Sequence, residues 1–177
     1  MNVFGFVRVA CASLRTSVGD PAANAREIIR VLDLTRDADV VVFPELCLTG
    51  YTCADLFYQP ALLSAALEGL ADVIEANANK RRVVVVGLPL AAGPHLYNTA
   101  AVIDGRGLRG IVPKQHLPNY KEFYEARWFR PARGVEPAEV EVLGETVPFG
   151  VDLLFPAEGA GEAGRDLVIG VEICEDL

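Results

Sequence analysis

Histidine, methionine and tryptophan are nearly missing from this chain, whose 177 residues include two histidines (His95 and His116), one methionine and one tryptophan. The four cysteines, Cys11, Cys47, Cys53 and Cys174, are scattered rather than paired at metal-binding spacing. With so few imidazoles, no metal site is expected, and reduced thiols are. No uninterrupted apolar stretch approaches the roughly 20 residues of a membrane-spanning helix, and residues 1–8 carry no charged leader ahead of an apolar segment. A cytoplasmic protein is therefore expected, with no membrane partner. A glycine-rich phosphate cradle is also missing, because Gly105-Arg106-Gly107 reads as part of a hairpin with no helix behind it. Positive charge is in deficit, with 16 Lys and Arg against 24 Asp and Glu and a net charge of −8. That balance argues against nucleic acid as a partner.

What is present suits one soluble domain with a substantial core: 51% of residues are hydrophobic and 23% charged. Residues 4–13 read as a buried first strand. Asp20-Pro21 opens a helix, as N-cap and first helical residue, with Ala25, Ile28, Ile29 and Leu32 on one stripe. A short apolar strand over residues 38–43 ends at Pro44, and residues 60–79 repeat apolar positions at helical spacing. Four consecutive valines, Val83 to Val86, predict a strand buried on both faces. Residues 97–103 and 108–112 predict a hairpin about Asp104-Gly105-Arg106-Gly107. Residues 115–133 mix aromatic and charged side chains without a period and predict a specific loop. Short strands are expected at 140–143, 146–150 and 151–155, and a mobile surface loop at 156–166. The mixed order of strands and helices predicts a layered α/β sandwich.

Three reactive or charged residues each follow a predicted strand. Glu45 follows Pro44, Lys114 follows Pro113, and Cys174 follows the apolar run from Val168 to Ile173. Singly, each has an ordinary reading: a solvated acid, a surface lysine, an inert buried thiol. In one sheet, three strand ends can converge on a single rim, where a thiol would meet a base and a cation.

The surrounding segments, Phe43-Pro44-Glu45-Leu46, Pro113-Lys114 and Val171-Glu172-Ile173-Cys174-Glu175-Asp176, resemble the Glu, Lys and Cys segments of the nitrilase superfamily, in the same order. More narrowly, FPELCLTGYTCADLF (43–57), YNTAAVI (97–103), PKQHLPNYKEFYE (113–125) and VEICEDL (171–177) are similar to the glutaminase domain of glutamine-dependent NAD+ synthetases. The resemblance implies a four-layer α-β-β-α sandwich, the carbon-nitrogen hydrolase fold, and hydrolysis of the glutamine side-chain amide. It implies Cys174 as nucleophile, Glu45 as general base, Lys114 as the cation that meets the oxyanion, and Glu125 as a second acid supporting the lysine. Tyr51, Tyr120 and Glu175 match positions of the glutamine pocket in that branch.

The resemblance further implies no cofactor in this domain, with ATP and Mg2+ used by a synthetase domain of the same full-length protein, and assembly as a homo-oligomer. Two departures stand out. Pro131-Ala132 replaces a frequent Pro-Gly, and the chain stops just past the nucleophile, so residues 1–177 are expected to be an incomplete domain, truncated after the nucleophile strand. A free-standing amidase or carbamoylase, and a catalytically silent module, are the alternatives.

Overall fold

A computed structural model describes residues 6–134, 137–157 and 167–177. Its centre is a five-stranded sheet in the order β1 (Val9–Cys11), β2 (Val40–Val42), β3 (Val83–Ala92), β4 (His95–Asp104) and β5 (Gly107–Pro113). The first three strands run parallel and the last three antiparallel, with Val84 opposite Ile103 and Thr99 opposite Pro113. The valine run begins β3 and is buried throughout, as the unbroken apolar sequence predicts.

Helices α1 (Pro21–Leu34) and α2 (Pro60–Asn77) lie together on one face of this sheet. Asp20 caps α1 by accepting the N–H of Ala23 at 3.0 Å, an interaction whose loss typically costs about 1 kcal/mol. Ala25, Ile28 and Leu32 of α1 and Leu70 and Val73 of α2 pack on Val41, Val84, Val86 and Leu88. Full burial of each larger side chain is worth about 1.5–3 kcal/mol. Helices over sheet form one α-β pair of the predicted sandwich. The opposite face, carrying Val83, Val85, Ala100, Val102 and Val112, is met by Phe155, Ala157 and Ile173. Phe155 belongs to β8 (Phe155–Pro156), which pairs antiparallel with β9 (Val168–Ile169), while β6 (Glu139–Val142) and β7 (Glu145–Pro148) form a hairpin beside β5.

Three expectations need correction. The first strand is short and lies at the sheet edge: Phe6 is 71% and Val9 54% exposed, because β1 pairs on one side only and just Ala10 turns toward the core. Residues 151–155 are not a strand; only Phe155–Pro156 pairs, and Leu154 points outward. The run leading to Cys174 is in a ladder only at Val168–Ile169, so residues 170–173 reach the cysteine without strand partners among the described residues. The loop expected at 156–166 falls mostly on residues 158–166, outside the described residues.

Candidate active site

Glu45 emerges from β2 through a tight turn in which Leu46 has φ +51° and Gly50 N–H bonds to Leu46 O at 2.8 Å. That turn crosses directly over β3 at Gly87, where a Cβ would stand 2.4 Å from Leu46 N and 2.7 Å from Pro44 O. Only a residue without a side chain fits there. Leu48 N–H then bonds to Gly87 O at 3.1 Å, and Leu48 O accepts from the buried Asn24 of α1 at 3.0 Å. The turn is thus fastened to both the sheet and the helical layer.

Lys114 leaves the end of β5 with its N–H on Asn98 O at 2.9 Å and is 0% exposed. Its Nζ lies 2.6 Å from Glu45 Oε1 and 2.8 Å from Glu125 Oε1. Glu125, 2% exposed, opens a single 3-10 turn, Glu125–Arg127. Asp55 braces that turn by accepting from the Arg127 guanidinium at 2.7 and 2.8 Å and from Trp128 Nε1 at 2.9 Å. The Asp55 carboxyl is held well below its usual range, chiefly by the Arg127 hydrogen bond. Phe57 packs against Phe129 with the rings tilted by 58° and their centroids 4.9 Å apart.

Two further donors complete the acid pair. Tyr51 Oη donates to Glu125 Oε1 at 2.5 Å, and Asn98 Nδ2 donates to Glu45 Oε1 at 2.5 Å and to Glu125 Oε2 at 3.3 Å. Two carboxylates would repel one another here; a buried ammonium and an amide between them make the pair tenable. Burial is the largest single influence on Lys114 and works against its charge, but the hydrogen bonds and charges of Glu125 and Glu45 together outweigh it and raise its pKa. Tyr51 is pushed far up by burial and by Glu125, so its proton stays on the phenol.

Cys174 sits across a pocket of about 120 Å3 from Glu45, with Phe43, Thr99, Ala100 and Ile173 also on the walls. Its backbone is left-handed, φ +54°, a conformation non-glycine residues adopt only when their surroundings impose it. Burial raises the thiol's pKa, Lys114 draws it down, and Glu45 pushes it up, for a net rise. Raised in this way, Cys174 favours the thiol form in a pocket that Glu45 also lines. Cys47, by contrast, is enclosed, donates to Gly87 O and is pushed up to about 12 by burial.

Of the seven residues singled out from sequence, Glu45, Lys114, Glu125 and Tyr51 form one hydrogen-bonded network, and Cys174 shares the pocket of Glu45. Tyr120 and Glu175 stand apart at the surface, where Tyr120 Oη donates to Glu175 Oε1 at 2.5 Å. Phe123 links the two tyrosines, packing edge-on to Tyr51 at 6.2 Å and Tyr120 at 5.9 Å. Ala132, where a glycine is frequent, has no positive φ and donates its N–H to Lys114 O at 2.9 Å, so the methyl group is accommodated. Sequence reasoning missed Asn98 and Asp176. Asn98 had a readable signal: it shares a strand face with Ala100 and Val102, and an amide on an apolar face is either partnered or functional.

The chain is 43% identical over 175 residues to the glutamine-dependent NAD(+) synthetase of Mycobacterium tuberculosis, a match covering 98% of this chain and 25% of that protein. The enzyme of the same name from Aquifex aeolicus is 34% identical over 171 residues, covering 93% and 30%. The chain thus spans about a quarter of the length of the curated relatives it matches. The crystal structure of a glutamine-dependent NAD(+) synthetase from Cytophaga hutchinsonii superposes with a TM-score of 0.85 at 27% identity, over 97% of this chain and 28% of that one. An amidase from Nesterenkonia sp. shares the fold, with a TM-score of 0.62 at 20% identity over 79% of this chain and 53% of that one. Residues 8–177 match the carbon-nitrogen hydrolase family, and the chain belongs to that family of enzymes.

Proposed function

We propose that this chain hydrolyses the side-chain amide of glutamine through a thioester on Cys174, using Glu45 as base and Lys114 as the cation facing the oxyanion. The observation carrying the proposal is the Glu45–Lys114–Glu125 network abutting the pocket that holds Cys174. Glu45 takes the thiol proton as sulfur bonds to the amide carbon. The carbonyl oxygen becomes an oxyanion. Two of the three Lys114 N–H donors are used by Glu45 and Glu125, which leaves one for that oxygen; loss of such a donor commonly costs about 10²- to 10³-fold. The C–N bond breaks as Glu45 returns the proton to nitrogen, and ammonia leaves. Water then gives a proton to Glu45 and its oxygen to the thioester carbon; the C–S bond breaks, and the proton returns to sulfur. The products are glutamate and the free thiol.

Glutamine is preferred over another small amide because relatives above 40% identity are named for it, whereas the amidases share only the fold. In a whole protein of the relatives' length, the ammonia would pass to a synthetase domain that uses ATP and Mg2+, in a cytoplasmic homo-oligomer.

The test is incubation with a glutamine-mimicking electrophile followed by intact-mass measurement. One adduct is expected, on Cys174, and none in Cys174→Ala. A chain that reacts with simple amide-mimicking electrophiles but not the glutamine mimic is an amidase of another kind, and one that reacts with neither is the silent module.

A further inference from the structure

Asp176 follows Cys174 by two residues, and its side chain is only 2% exposed although Cys174, Glu175 and Leu177 around it are open to solvent. Its Oδ1 accepts the backbone N–H groups of Gln115 at 3.0 Å and His116 at 2.7 Å, and its Oδ2 accepts the Gln115 N–H at 3.1 Å. The His116 ring brings Nδ1 to 3.2 Å from the same Oδ1. A carboxylate withdrawn from water is costly unless hydrogen-bonded, and here peptide groups do that work. Both peptide groups belong to the residues that immediately follow Lys114.

Among the described residues, the 3-10 turn Cys174–Asp176 has no other buried polar tie; Ile173, just before it, packs on the apolar face of the sheet but leaves the turn itself unfastened. The β8–β9 ladder ends at Ile169, with residues 170–173 between it and the turn, and the turn's own bonds are Asp176 N to Ile173 O at 3.1 Å and Leu177 N to Cys174 O at 3.4 Å. Among the described residues, the only other side-chain hydrogen bond to the turn, Tyr120 to Glu175, is exposed. Meanwhile Cys174 keeps a backbone conformation that an L-residue does not hold unaided.

We propose that Asp176 is a positioning residue, whose buried carboxylate fastens the Cys174 turn to the peptide groups after Lys114 and so fixes the spacing between sulfur and ammonium. The proposal rests on the glutaminase reading for the reaction it serves; the fastening itself rests on geometry. Asp176→Asn keeps the shape but turns an amide into a cluster of N–H donors, and Asp176→Ala removes every acceptor.

The experiment compares both variants with the unaltered chain in two reactions at Cys174, read by mass: inactivation by the glutamine mimic and alkylation by iodoacetamide, which needs no alignment. The maximal rate of inactivation should fall about 10²-fold, the scale of a 1 Å misplacement, with the half-saturating concentration of the mimic, and the iodoacetamide rate compared well above the thiol's midpoint, within about threefold of the parent. An inactivation rate within threefold of the parent overturns the proposal. So does a parallel fall in both reactions, which indicates a role in folding alone. If the unaltered chain itself ignores the mimic, the glutaminase reading fails, and the fastening is judged by the pH midpoint of iodoacetamide alkylation. A midpoint displaced in Asp176→Asn means that the sulfur has left its charged neighbours, and an unchanged one overturns the proposal.

Discussion

Lys114 and Arg82 are two cations withdrawn from water at opposite ends of the same sheet, one just past β5 and one just before β3. Arg82, 6% exposed, gives its donors to neutral oxygens: Nε to Asn77 Oδ1 at 2.8 Å and a terminal nitrogen to Leu32 O at 2.6 Å. Those acceptors lie at the C-terminal ends of α2 and α1, where a cation complements the exposed carbonyls. Burial holds the Arg82 pKa below its usual value, with Asp33 raising it and Arg36 lowering it further. Lys114 is raised instead, because its acceptors are carboxylates. The difference separates a cation that ties helices together from one that binds two acids at the edge of the Cys174 pocket.

The sharpest way to break the comparison is to delete each charge. Lys114→Met strands Glu45 and Glu125 together and should cost about 3–5 kcal/mol, the range for removing one partner of a buried ion pair. Arg82→Met leaves two neutral acceptors short of a donor and should cost about 1–3 kcal/mol. Urea midpoints measure both. Labelling of Cys174 by the glutamine mimic should vanish in Lys114→Met and persist in Arg82→Met. Glu125→Gln added to Lys114→Met should recover part of the lost stability, because it removes the repulsion. Since the folded Lys114 pKa lies above the unfolded one, its contribution is fully present below about pH 10.4 and is lost as pH rises through the folded value.

A smaller contrast lies in two of the three asparagines buried among the described residues. Among the described residues, Asn77 Nδ2 and Asn98 Oδ1 have no hydrogen-bond partner, so each amide is half used, and the used half faces a charge. Replacement by alanine should cost about 1–3 kcal/mol at either position. Only Asn98→Ala should also slow labelling of Cys174, by about tenfold, through loss of the donor shared by Glu45 and Glu125.

The two regions also differ in how far the sequence discloses them. Glu45 and Lys114 were legible because a proline marks each strand end and a charge follows it. The helices were legible from period and capping. Gly87 could have been read, since a glycine inside a valine strand signals close backbone approach. Arg82 and Asn77 were not legible as partners, because a basic residue ahead of a strand looks the same whether it caps two helices or faces solvent. Asp176 was hidden for a related reason: its acceptors' partners are backbone N–H groups sixty residues away, which leave no mark on side-chain identity. The exposed first strand and the unpaired approach to Cys174 were misjudged because apolar composition reports what a segment could bury, not whether a neighbour is there to cover it.

The finest distinction between the two cations is electrostatic reach. Cys174 feels Lys114 directly, and that charge draws its thiol pKa down against the upward push of burial, Glu45 and Glu125. The rate of iodoacetamide alkylation, followed at the Cys174 peptide, should therefore rise through a midpoint above the ordinary value of 9.0. Deleting the Lys114 charge removes the one side chain that favours the thiolate, so Lys114→Met should move that midpoint further up, by less than about one pH unit at a site this open to solvent. Arg82→Met should leave it in place, the distance to the other end of the sheet exceeding a screening length of about 8 Å in physiological salt. A midpoint that moves equally in both variants would mean that the thiol senses the folded state as a whole rather than the ammonium beside it, and the assignment of Lys114 to the chemistry of Cys174 would lose its electrostatic basis.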